Sequence, residues 1–120
     1  MKLIYDSSAA SPQVAALLKE LGKEFPIDVE GEGLKLVFKP VDDPQRLCVR
    51  RRADGMEIEY GKLSAAARGI GYALSGNEAE ETLDFETYAV LFDCSRNPVL
   101  TVNYAQHWLR CLALLGYNMM

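Results

Sequence analysis

A chain of 120 residues, 49% of them apolar and 25% charged, has the size and composition of one globular core, and a formal net charge of −4 spread along the sequence leaves no basic footprint for nucleic acid. No apolar run approaches the roughly 18 to 20 residues of a membrane span, and the start MKLIYDSS lacks the long apolar stretch of a secretory signal, so a cytoplasmic protein with no membrane partner is expected. Cys48, Cys94 and Cys111 cannot all pair and show no metal-ligand spacing, which predicts buried free thiols in a reducing compartment, with no metal and no cofactor.

Lys2 to Tyr5 is a short strand. Ser11 and Pro12 then supply an N-cap and a first helical position, and Val14, Leu17, Leu18 and Leu21 recur at spacings of three and four, predicting a helix to about Glu24 that Pro26 ends. Its other face, with Lys19, Glu20 and Lys23, should be wet. Leu34 to Phe38 alternates as a strand, and Pro40, Asp42, Asp43 and Pro44 break it. Arg46–Arg52 and Met56–Tyr60 are two more strands joined through Ala53, Asp54 and Gly55, an Asp-Gly hairpin in which Gly would take the positive φ of a tight turn. Arg50 and Arg52 then line its solvent face.

GKLSAAARGIGYALSG reads as a second helix with Leu63, Ala66, Ala67, Ile70 and Leu74 on one face. Gly69 and Gly71 cost roughly 1 kcal/mol each relative to Ala inside a helix, a cost that close packing on a sheet offsets. They do not form a phosphate loop, because they lie within the helical pattern and no lysine follows at the required spacing. Asn77 to Thr82 reads as an acidic, solvated connection. The order strand, helix, strand, hairpin, helix predicts an α+β layer over residues 1–84, a mostly antiparallel sheet with helices packed on one face.

Residues 85–120 are of another kind. Phe85 to Phe92 ends in the continuous apolar run Ala89, Val90, Leu91, Phe92, as in a strand covered on both faces. A helix from about Thr101 to Leu115 follows, with Val102, Ala105, Leu109, Leu112 and Leu115 along one stripe and Trp108 and Cys111 widening it; Thr101 is its N-cap and Gly116 its stop. Asn118, Met119 and Met120 then enter a further strand. Five large apolar side chains without partners, at roughly 1.5 to 3 kcal/mol each, would forfeit on the order of 10 kcal/mol, which rivals the stability of a small domain. The helix must therefore fold back on the α+β layer, pair with another chain, or belong to a longer protein.

At LFDCSRN, followed by a helix ending LALLGYNMM, the sequence resembles the family 20 glycoside hydrolases, the β-N-acetylhexosaminidases, and in particular their intracellular-type branch. In that family a small α+β domain precedes a (β/α)8 barrel whose first strand ends in an Asp-x-x-Arg or Asp-x-Ser-Arg motif, matched here by Asp93, Cys94, Ser95 and Arg96. Leu114 to Met119 match the step from the first barrel helix into the second strand. The YGKLSAAARGIGYALSG helix resembles the family's pre-barrel helix, although the likeness is specific only over the last thirty or so residues.

The resemblance implies one strand–helix unit of a truncated (β/α)8 barrel over 85–120, with Arg96 binding hydroxyls of a terminal N-acetylhexosamine and Asp93 supporting it. A planar fork of donors suits two neighbouring hydroxyls, and active sites gather at the C-terminal ends of barrel strands. It also implies a retaining reaction in which the substrate's acetamido oxygen attacks the anomeric carbon, assisted by an Asp-Glu pair beyond Met120. No catalytic residue is then expected within these 120. The adjacent carboxylates Asp42–Asp43 and Glu80–Glu81 sit in loop contexts and are not assigned that role; His107 reads as a helix-surface or packed residue, and Ser95 as a turn residue without a base. Self-association through the uncovered helix is expected. The competing expectation is a self-sufficient α+β interaction module that dimerises through the same helix.

Overall fold

A computed structural model describes residues 2–91 and 101–119. Its elements in chain order are β1 (Leu3–Tyr5), α1 (Pro12–Leu21), β2 (Ile27–Asp28), β3 (Leu34–Pro40), β4 (Arg46–Arg51), β5 (Gly55–Tyr60), α2 (Leu63–Ser75), β6 (Ala79–Thr82) and α3 (Val102–Leu114). The strands form one six-stranded sheet in the order β2-β1-β3-β5-β4-β6.

The α+β class stands, but the sheet is mixed rather than mostly antiparallel. β1 runs parallel to both β2 and β3, and β3 runs parallel to β5; only β4 is antiparallel to its neighbours β5 and β6. The physical reason lies in the hairpin. The chain leaves β3, passes over the position of β5, and lays β4 one place further out; the return strand β5 then fills the gap and points the same way as β3. A sequence pattern reveals that β4 and β5 pair, but not which of them docks on β3.

That insertion also explains Gly55, whose φ is not positive. A Cβ there would stand 2.0 Å from the Lys35 carbonyl oxygen, so glycine is needed where β5 enters beside β3, and not for the turn. Arg50 and Arg52 are solvent-exposed as expected, with Arg52 bonded to Glu57 at 2.9 Å.

The period-two alternation sends Leu36, Leu47, Val49, Met56 and Ile58 to one face, where they form a single buried cluster with Val14, Leu18 and Leu21 of α1 and Ala66, Ile70 and Ala73 of α2. α1 begins as its sequence dictates, with Val14 N–H donating to the Ser11 side-chain oxygen at 3.3 Å and Pro12 in the first turn. It stops at Leu21, three residues short of the expected Glu24, where Gly22 N–H bonds the Leu18 carbonyl at 2.9 Å. A Cβ on Gly69 would lie 2.6 Å from Ile58 Cγ2, so this glycine brings α2 down onto β5. Gly71 does the same for the next layer, its missing Cβ standing 2.5 Å from the Leu114 carbonyl oxygen of α3. Gly76, in the left-handed region at φ 71°, closes α2.

The opposite sheet face carries Lys35, Lys39, Arg46, Arg50, Glu57, Glu59 and Glu80. Arg46 sits between Glu80 at 2.8 Å and Glu59 at 3.5 Å, and beneath this group Cys48 is 1% exposed, a buried free thiol as expected. The supposed connection Asn77–Thr82 is in part the edge strand β6, paired to β4 from Ala79↔Val49 to Thr82↔Arg46. Its acidic composition hides it, because glutamate is poor in central strands but is well suited to a short solvated edge.

Candidate functional site

Asp93 and Arg96, with Cys94 and Ser95, lie in the segment 92–100, outside the described residues. What surrounds that segment is described. Ala89 and Met119 form a parallel bridge, Asn118 N–H donates to the Tyr88 carbonyl at 2.9 Å, and Val90 N–H donates to the Met119 carbonyl at 3.1 Å. The Asn118 side chain completes the join, accepting from Tyr88 N–H and donating to the Glu86 carbonyl, each at 2.8 Å. Two extended segments thus run side by side with α3 between them in the chain. The 92–100 segment leaves the end of the first and enters α3 at Thr101, whose side chain caps Tyr104 N–H at 3.2 Å as expected. Gly116, at φ 90°, follows the helix.

The expectation of a strand covered on both faces is not met. Residues 85–91 make one bridge rather than a full strand, and Leu91 is 93% and Phe85 68% exposed. The α3 stripe is likewise only part-covered: Leu112 is buried and Leu114 packs on the core, while Val102, Leu109 and Leu115 face solvent. The helix folds back through its other side.

That docking side is polar, which its apolar periodicity does not announce. Arg110 reaches Glu20 of α1 at 2.7 Å and Glu24 at 3.6 Å, and His107 Nδ1 hydrogen-bonds Glu24. His107 is therefore a helix-surface residue held by a carboxylate, with Cys111 Sγ 3.7 Å from its Nε2. Desolvation, and secondarily Glu24, push the Cys111 thiol up, so the neutral thiol dominates.

The second joint is Arg68, a residue singled out by no motif. From the middle of α2 its Nε donates to Glu81 Oε2 at 2.6 Å and its Nη2 to Glu81 Oε1 at 3.1 Å, a bidentate pair with β6; its Nη1 donates to the Leu115 carbonyl at the end of α3 at 2.6 Å. Tyr72, one turn on, hydrogen-bonds Glu81 and lies 5.4 Å from the guanidinium. Arg68 holds the Glu81 carboxyl below the usual range, Glu81 raises the arginine, and the hydrogen bond to Glu81 raises the Tyr72 phenol. The sequence signal was a lone arginine among the small residues of SAAARGIGY. Every nitrogen of this guanidinium makes at least one hydrogen bond, so the cluster is a bolt between layers rather than a reactive centre.

Three of the four adjacent acids are likewise spoken for: Glu80 pairs with Arg46, Glu81 with Arg68, and the Asp43 carboxylate accepts from Gln45 N–H at 3.0 Å in a turn. Among the described residues no group of three His, Cys, Asp or Glu side chains is placed to hold a metal ion, and no helix is long and apolar enough to cross a membrane. A scan of the sequence against protein-family models finds no match, and a search of curated proteins finds none either.

Proposed function

We propose that these residues are the N-terminal part of a β-N-acetylhexosaminidase of the family 20 type, a cytoplasmic glycosidase that removes terminal N-acetylhexosamine by substrate-assisted retaining hydrolysis. The observation that carries this reading is the parallel pairing of 88–90 with 118–119 around α3, with apolar side chains left open on the helix. Two parallel extended segments joined through a helix are what the opening of a (β/α)8 barrel supplies, and in the sequence Asp93 to Arg96 stand between the first segment and the helix. On this reading Arg96 grips sugar hydroxyls, Asp93 orients it, and the acid and the acetamido-positioning carboxylate come from a later strand.

Hydrolysis of a chromogenic N-acetyl-β-glucosaminide tests it. The 120-residue chain should be inert and the full-length protein active; turnover by the 120-residue chain, or a full-length protein with no Asp-Glu pair and no activity, overturns it.

The same open side of α3 favours one competing reading, an α+β interaction module that dimerises through this helix. A stable dimer of the full-length protein built on α3, without glycosidase activity, would select it.

A further inference from the structure

A cleft of about 360 Å³ lies where α2, β6 and the 85–88 segment meet the end of α3. Leu115, Gly116 and Asn118, just past the last residue of α3, form one of its walls.

Three rings stack at the cleft. Tyr88 lies on Tyr117 with centroids 4.1 Å apart and planes 14° from parallel, and Phe85 lies nearly parallel to Tyr88 at 6.4 Å. Phe85, at the open end, is 68% exposed, an unusual place for a phenylalanine in a chain with a well-filled core. Around this platform stand polar groups of both kinds. The Asp84 carboxylate and the Ser64 hydroxyl bond no other described residue, and Lys62 spends one donor on the Phe85 carbonyl at 3.0 Å.

The two cations Lys62 and Arg68 are balanced by Glu81 and Asp84, so the cleft offers no net field to a phosphate or other multiply charged ligand. An exposed aromatic face flanked by a free carboxylate, a free hydroxyl and an ammonium instead suits a neutral pyranose. The ring's C–H face lies on the aromatic surface, while its hydroxyls donate to a carboxylate and accept from an ammonium. We infer that this cleft binds a neutral sugar ring of a glycan. The inference does not depend on the hydrolase reading, since it uses neither Arg96 nor the segment that carries it.

Titration of the 15N-labelled chain with N-acetylglucosamine and its β-1,4 dimer tests it, with inorganic phosphate as a second arm. Amides of Ser64, Asp84, Phe85 and Tyr88 should shift and saturate with the sugars in the millimolar range. Phe85→Ala and Asp84→Asn should each weaken binding about tenfold or more, and both side chains are exposed enough for the variants to keep the wild-type dispersion of the remaining spectrum. Sugar-induced shifts confined to Thr101–Ala105, an unchanged titration in Phe85→Ala, or a response to phosphate alone at Leu63–Ala65 would each overturn the proposal. Sugar binding here together with a full-length protein that leaves the chromogenic substrate intact would leave this inference standing and remove the hydrolase.

Discussion

Arg68 ties α2 to β6 through Glu81 and to the end of α3 through the Leu115 carbonyl, and the energetics of these contacts can be read directly. Both side chains are nearly three-quarters shielded, the pair is bidentate, and loss of the arginine would also remove the donor to the Leu115 carbonyl. Arg68→Ala should therefore cost about 2 kcal/mol in urea unfolding, more than a surface ion pair contributes. The pH dependence follows from sign. Because the folded state depresses the Glu81 carboxyl, its contribution is complete above the ordinary glutamate value of about 4.3 and is lost as pH falls through the lower folded value, while Arg68 stays charged. Urea midpoints should fall on acidification below about pH 4, and Glu81→Gln should flatten that acid limb. Glu20 and Glu80 are depressed too, but at exposed sites where added salt screens them, so high salt should diminish their components more than that of Glu81. At Gly69, helix propensity alone favours alanine, yet the 2.6 Å approach to Ile58 predicts that Gly69→Ala destabilises by about 1 to 3 kcal/mol; a stabilised variant would show that α2 can lift from β5 at little cost.

Among the elements, those with a local cause were legible. Ser11 and Thr101 cap the helices they were read to cap, the Arg46–Tyr60 hairpin forms, and the Val14–Leu18–Leu21 stripe is buried. What escaped depends on partners distant in sequence. The order of β5 and β4 beside β3 is a docking choice, β6 has an edge composition that resembles a loop, and the Arg68–Glu81 and Arg110–Glu20 pairs join residues 13 and 90 positions apart. Of the candidate site, the frame is described around Ala89 and Met119, while Asp93 and Arg96 fall outside it. α3 differs from α2 in a measurable way. Leu112 is its one buried side chain, against six buried positions in α2, so backbone amides of α3 should exchange with deuterium faster than those of α2. Equal protection in a monomer would mean that α3 is held as firmly as the core.

At the scale of the whole molecule, the exposed side chains Phe85, Tyr88, Leu91, Val102, Leu109 and Met119 concentrate in the last third of the chain. A surface of that kind is unusual for a solvated monomer, and light scattering of the 120-residue chain should show concentration-dependent association; a strict monomer at high concentration would mean that the open side of α3 is tolerated in water. In the hydrolase reading the same surface is covered by the remainder of a barrel, so association should vanish in the full-length protein. The central claim rests on Arg96 meeting a sugar. Steady-state hydrolysis of a chromogenic N-acetyl-β-glucosaminide by the full-length protein and its Arg96→Ala variant is the most direct test, with kcat/KM expected to fall about 100-fold through lost hydrogen bonds to the ring hydroxyls. Unchanged kcat and KM in the variant, or a full-length protein that leaves the substrate intact, would contradict the account.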